Sequence, residues 1–361
     1  MNNRDGFIDF CKGLLILWVV HIHTVFWSGQ LYISNAPREL SLLIDVGLFF
    51  FISGYLAKVS DLGSLLRKSF KQFKSLYWEY FVLSCLLLVP LGVFYFLKER
   101  SFPDIPMAIF SMLRVNPVGD LWEDLGVFPG SLWYMAVYFS LLAVIPFAVS
   151  LFGSRQLRII ILTAVLALFV ISSNLGLSYP FLFTETIYLL FYLFIFLLGT
   201  AYKLEQQHLP VLYLKLAFLT NVTVCLSILF FVKGGTLQLQ SNKFPPSVIY
   251  LPYCLLVILL FAIVRQMWNY ADISRPNRIL QFFEWCGKNS YSIYLMQAVV
   301  CSIPGYVIPL LLKNSLPVLE IYIIVLLFNL TFTLLLAFLW NFAKTVLANS
   351  IANFISANKA H

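Results

Sequence analysis

The residues with the clearest capacity for chemistry lie close together near the N-terminus. One apolar run carries Asp9, Lys12, His21 and His23. An ionisable group inside such a run costs about 2.5–3.5 kcal/mol on membrane-insertion scales, so each is a functional candidate by default. Read as a helix, the run places Lys12 and His23 about three turns apart on nearly one face, separated by about 16 Å along the axis. Asp9 precedes Lys12 by one turn and is within reach of an ion pair. Histidine is the side chain suited to act as a base near neutral pH. His21 and His23 point to opposite sides of the helix, which argues against a shared metal site. Two readings of His23 stand: a catalytic base, or a histidine bonded to a neighbouring helix.

Two further segments invite a chemical reading. Phe49-Phe50-Phe51-Ile52-Ser53-Gly54-Tyr55-Leu56 ends a second apolar run in small residues, which let helices approach closely. The loop expected after it holds Arg67, Lys68, Lys71 and Lys74. Such a cluster serves membrane orientation or anionic lipid, or it docks a phosphate-bearing cytoplasmic molecule through charge-assisted hydrogen bonds. The sequence leaves both open.

The elements that must position these residues follow from composition. Of 361 residues, 61% are hydrophobic and 11% charged. Soluble domains are nearer 45–50% and about 25%, so this chain cannot cover a surface facing water, and its solvent is lipid. The net charge of +8 fits the Lys/Arg bias of cytoplasmic loops. No aromatic residues alternate with a basic groove, which excludes a nucleic-acid partner. The six cysteines show no metal-ligand spacing and read as small apolar residues. The first apolar run lacks a small-residue cleavage site and reads as a retained span.

A crossing helix needs about 20 mostly apolar residues. The pattern predicts an all-α, polytopic membrane protein of about ten transmembrane helices, near residues 9–27, 41–58, 76–97, 131–152, 158–177, 182–202, 211–232, 247–264, 286–312 and 318–342. Pro304 and Pro309 should kink the ninth. With the N-terminus inside, 17 Lys and Arg, among them Arg4, Arg275 and Lys359, fall on the cytoplasmic side, against 7 outside. Both termini are therefore expected in the cytoplasm. The longest outer loop, about residues 98–130, carries Asp104, Asp120, Glu123 and Asp124 among Pro103, Pro106, Pro117 and Pro129, and is expected to form a partial lid. Residues 1–361 read as one transmembrane domain with no fused soluble domain.

Four segments in this order resemble the acyltransferase-3 family of bacterial integral membrane acyltransferases. They are Ile8-Asp9-Phe10-Cys11-Lys12-Gly13 with His23 following; the Phe-rich run into Ser53-Gly54-Tyr55-Leu56; Ser131-Leu132-Trp133-Tyr134; and Gly287-Lys288-Asn289-Ser290-Tyr291-Ser292-Ile293-Tyr294-Leu295. The resemblance covers essentially the whole chain. One departure is Gln297, where the family's late element often ends in His.

The resemblance implies transfer of an acyl group, most often acetyl, from cytoplasmic acetyl-CoA or another acyl-CoA to a hydroxyl of a surface or lipid-linked glycan, in the bacterial cytoplasmic (inner) membrane. It implies His23 as base, or as the residue itself acylated. Lys12 would contact CoA phosphate or steady the site with Asp9, and Arg67, Lys68, Lys71 and Lys74 would join in holding the cofactor. Ser53, Tyr55, Trp133, Ser290, Tyr294 and Gln297 are carried over as pocket or supporting residues. No metal is expected, and the partners are membrane lipid and the glycan acceptor. The competing function is a transporter or flippase for lipid-linked sugars, which no repeated half of the sequence supports; a glycan polymerase would be expected to have larger outer loops.

Overall fold

A computed structural model describes residues 5–116, 118–123, 125–268, 277–314 and 316–359, with side chains as far as residue 350. Arg4, Pro117, Asp124 and Arg275, which enter the expectations above, lie outside the described residues, as does the side chain of Lys359.

Helix α1 (Gly6–Phe26) starts where the Asp5 carboxylate accepts from the amides of Phe7 and Ile8, satisfying donors that have no partner within the helix. It runs on through a 3-10 turn at Ser28–Leu31. Two short helices follow, α2 (Asn35–Ser41) and α3 (Gly47–Leu56). Helix α4 (Leu62–Glu99) is capped by Asp61 and runs for 38 residues. The connection after it folds into α5 (Ile105–Leu113), α6 (Asp120–Glu123) and α7 (Val127–Ser131). Next come α8 (Trp133–Ser150) and α9 (Arg155–Leu175), the latter closed by Gly176 in the left-handed region. A two-stranded antiparallel hairpin, β1 (Pro180–Phe181) with β2 (Thr184–Glu185), leads into α10 (Thr186–Glu205). The chain continues through α11 (Val211–Ser227), extended by a π turn at Ile228–Val232, then α12 (Leu239–Lys243) and α13 (Tyr250–Met267). It ends in α14 (Arg278–Lys288), α15 (Ser290–Val300), α16 (Pro304–Lys313) and α17 (Val318–Lys359).

Among the described residues eight helices are long and apolar enough to cross a membrane, and α15 with α16 forms a ninth, bent by 48°. The all-α polytopic fold is thus as expected, including the bend in the ninth span, but three details differ. The expected second span, 41–58, is broken: Asp45 turns its carboxylate to the Val46 amide, and α3 keeps only ten residues. At 1.5 Å per residue that is about 15 Å, half the hydrocarbon thickness. The sixth span begins at Thr186 rather than 182, because residues 180–185 form the hairpin. The ninth bends at Pro304, which lacks an N–H and opens α16, while Pro309 lies inside that helix. Residues 67–74 are not a loop but lie in the second to fourth turns of α4. The connection expected as a lid is tied to α4 through Tyr77, whose hydroxyl donates to Leu113 O, and Tyr80, which donates to Met112 O.

The chain divides into two compact units, Met1–Ile33 with Ala271–His361, and Ser34–Tyr270. In the first, α1 packs most extensively on α14. A Cβ at Gly13 would lie 1.9 Å from Phe283 O, and one at Gly287 would lie 1.8 Å from Asp9 O. Each glycine therefore faces a carbonyl of the other helix, and the paired contacts run in opposite senses, making the two antiparallel. The second unit repeats the device between α3 and α10. A Cβ at Gly54 would meet Phe196 O at 1.8 Å, and one at Gly199 would meet Phe51 O at 2.0 Å. Thr200 Oγ1 donates to Gly54 O at 3.0 Å, sealing the crossing. Small residues of this kind drive helix association where lipid removes the hydrophobic incentive.

Candidate active site

In the first unit, α1 is continuous from Asp9 to His23, so Lys12 and His23 keep their three-turn spacing. Asp9 is buried and Lys12 half-buried. The two histidines face different neighbours, as their spacing required. His21 Nδ1 lies 3.0 Å from the Tyr322 hydroxyl of α17, with its ring 4.8 Å from Trp18. That is a packed histidine held by a neighbouring helix.

His23 meets a different group. Its Nδ1 lies 2.6 Å from Oε1 of Gln297 on α15, across 274 residues of sequence. An amide oxygen only accepts, so Nδ1 is the donor in this bond. A buried amide thereby orients the ring of a residue type able to act as a general base. Gln297 is fully buried, and its Nε2 has no hydrogen-bond partner among the described residues. The position at which the sequence departs from the family pattern is therefore the one that holds the candidate base.

Two turns nearer the start of α15 a polar network links it to α17. Ser292 Oγ donates to Asn341 Oδ1 at 2.8 Å, Lys344 Nζ donates to Ser292 Oγ at 3.2 Å, and Asn341 Nδ2 donates to Asn289 Oδ1 at 2.9 Å. Asn289 also donates to Trp285 O, satisfying a carbonyl at the end of α14. Of the late motif, the sequence reading selected Ser290 and Tyr294. Ser290 opens α15 half-buried and Tyr294 is buried, but the network passes through Asn289 and Ser292. Asn341 and Lys344 were missed as site residues; their signal was a polar pair three residues apart in the last apolar helix.

The second unit holds the remaining candidates. Tyr55 is buried, and its hydroxyl donates to Gln206 Oε1 at 3.1 Å. The Tyr55 hydroxyl oxygen accepts in turn from Lys203 Nζ and from Arg265 Nε, each at 3.3 Å, and Lys203 Nζ also lies 4.4 Å over the Tyr55 ring. Two cations thus converge on one phenol, contributed by α10 and α13 at positions that the sequence reading counted only toward orientation. Arg67, Lys68, Lys71 and Lys74 are exposed on α4, where Arg67, Lys71 and Lys74 share one face. Ser53 is half-buried one residue before Gly54, whose role is the backbone contact with α10. Trp133 opens α8 among Tyr134, Tyr188, Tyr192 and Phe244, with ring centroids 4.9–6.4 Å away.

Among the described residues, no three of His, Cys, Asp and Glu gather as a metal ion would require. The first unit offers an oriented histidine and a polar network of Ser292, Asn289, Asn341 and Lys344. The second offers cations and aromatic rings. A family model for an acyltransferase domain matches residues 5–340 of the chain. No curated protein and no solved structure matches it.

Proposed function

The chain belongs to the acyltransferase-3 family, and from that premise we propose that it transfers an acyl group, acetyl in the first instance, from cytoplasmic acyl-CoA to a hydroxyl of a cell-surface or lipid-linked glycan. It would do so as a multi-pass enzyme of the bacterial cytoplasmic membrane, with both termini in the cytoplasm. The observation that carries this reading is the bond between His23 Nδ1 and Gln297 Oε1. His23 Nε2 takes the proton of the acceptor hydroxyl as the hydroxyl oxygen attacks the thioester carbonyl. The C–S bond breaks, the acyl group passes to oxygen, and the imidazolium returns the proton to the departing thiolate. Gln297 Oε1 accepts from the Nδ1–H throughout and stabilises the charged ring. General-base assistance of this kind contributes about 10²–10⁴ in rate.

Lys12, on the same face of α1 as His23, supplies a cation for a CoA phosphate. The exposed stripe Arg67, Lys68, Lys71 and Lys74 and the pair Lys203 and Arg265 around Tyr55 have the chemistry that phosphate recognition uses. Full-length protein in detergent, given acetyl-CoA and lipid-linked glycan extract, should release free thiol. His23→Ala should bind acetyl-CoA normally and release none, while Lys12→Ala should bind it weakly. If the wild type neither binds nor consumes any acyl-CoA, the reading fails and transport of a lipid-linked sugar takes its place.

A further inference from the structure

A second polar cluster, at the start of α10 and α13, takes no part in the mechanism above. Helix α12 is fixed at its N-terminus by Glu39, whose Oε2 accepts from the amides of Leu239 and Gln240. At its other end Lys243 is 4% exposed and forms an ion pair with Asp45, 5% exposed, at 2.6 Å. Asp45 Oδ2 also accepts from the Tyr250 hydroxyl at 2.5 Å, and Oδ1 accepts from the Val46 amide at 2.6 Å. The carboxylate is therefore occupied on both oxygens.

The donors are not matched in the same way. An ammonium carries three N–H groups; Asp45 takes one, and Lys243 Nζ lies 4.8 Å over the Trp133 ring and 4.9 Å over that of Phe244. The hydroxyl of Tyr192, whose ring is 5.9 Å from Trp133, is buried with no hydrogen-bond partner among the described residues. Leaving such a group unsatisfied in a buried position is destabilising. Donors are thus in excess of acceptors, inside a wall formed by Trp133, Tyr188 and Phe244. The complementary ligand presents many oxygen acceptors on a compact ring whose C–H faces pack on aromatic rings.

We infer that Trp133, Tyr192 and Lys243 form a binding subsite for a pyranose ring, in which the Tyr192 hydroxyl and the Lys243 ammonium donate to sugar oxygens and Trp133 takes the C–H face. Calling that sugar the acyl acceptor rests on the function proposed above; the subsite itself rests on the unmatched donors. Lys243 and Phe244 lie against the Trp133 ring, so the subsite requires them to move aside when the sugar binds.

Tyr192→Phe is the sharp test, because it removes a hydroxyl that no described protein group uses. Full-length protein in detergent is titrated with methyl glucopyranoside, galactopyranoside, mannopyranoside and glucuronopyranoside, following tryptophan fluorescence and the melting temperature. At least one should bind the wild type. Tyr192→Phe should weaken that binding about tenfold with its own melting temperature unchanged or raised, since an unsatisfied buried donor is gone. Lys243→Met should weaken binding and lower the melting temperature, because Asp45 loses its cation. No binding by the wild type to any of the four, or equal binding by Tyr192→Phe, overturns the subsite. Thiol release from acetyl-CoA in the same samples separates the two claims. Glycoside binding without thiol release leaves the subsite standing and removes the acyl-transfer reading; thiol release with Tyr192→Phe binding like wild type does the reverse.

Discussion

The two units share a backbone device and differ in what they build around it. Each joins two antiparallel helices through a reciprocal pair of glycines, Gly13 with Gly287 in the first and Gly54 with Gly199 in the second. Around the first crossing the polar groups are mostly neutral: His23 meets an amide, and Ser292, Asn289 and Asn341 bond one another, with the cation of Lys344 joining them through Ser292. Around the second the groups are charged or aromatic: Lys243 pairs with Asp45, and Lys203 and Arg265 meet Tyr55. The same backbone device thus carries a mostly neutral polar set in one unit and a charged, aromatic set in the other.

Four tests would break or sharpen that contrast. The largest effect should come from His23→Ala, which should lower acyl transfer about 10³-fold while leaving the melting temperature near wild type; a tenfold loss or less would move the base elsewhere. Next come the crossings. Gly287→Ala and Gly54→Ala should each destabilise by about 3 kcal/mol, since a Cβ would fall 1.8 Å from a backbone oxygen. Gly305→Ala, where a Cβ meets nothing within 4 Å, should be neutral or slightly stabilising. Thermal unfolding in detergent would show whether both crossings respond alike, and a tolerant one would end the parallel.

A smaller effect is expected from Gln297→Leu, which keeps the volume but removes the acceptor of His23. It should lower kcat about 10–100-fold, corresponding to about 1–3 kcal/mol, with unchanged affinity for acyl-CoA. A loss confined to affinity would assign Gln297 to substrate contact. The smallest effect belongs to the exposed stripe. Arg67→Gln with Lys71→Gln should weaken acyl-CoA binding only a few-fold and only at low salt, as exposed charges do.

Much of this was legible in the sequence, and what was not had specific reasons. The continuity of α1 and the opposite faces of His21 and His23 followed from spacing alone. The bend at Pro304 followed from its missing N–H. Gly54 was recognised as a packing residue, but its partner Gly199 was invisible, because a reciprocal contact needs both helices in register. The break before α3 was hidden within a continuous apolar run, where one buried aspartate is the only mark. Gln297 stood out only as a departure from a pattern, and nothing local could place its amide beside a histidine 274 residues away. The short helices α5 to α7 replaced an expected loop, and the hairpin at 180–185 took the first residues of an expected span, because turn-forming prolines and glycines signal a break in a span without saying what fills it.

Helix α4 has one more consequence. Its 38 residues extend for about 57 Å, far beyond the thickness of the hydrocarbon. If its apolar part begins near residue 76, Lys74 stands about 3 Å from the membrane edge and Arg67 about 14 Å from it. The Debye length in physiological salt is about 8 Å. One rigid rod therefore carries cations through the whole screening layer of the bilayer. Lys74 feels the surface potential of the headgroups, whereas Arg67 answers to anions in the bulk solution.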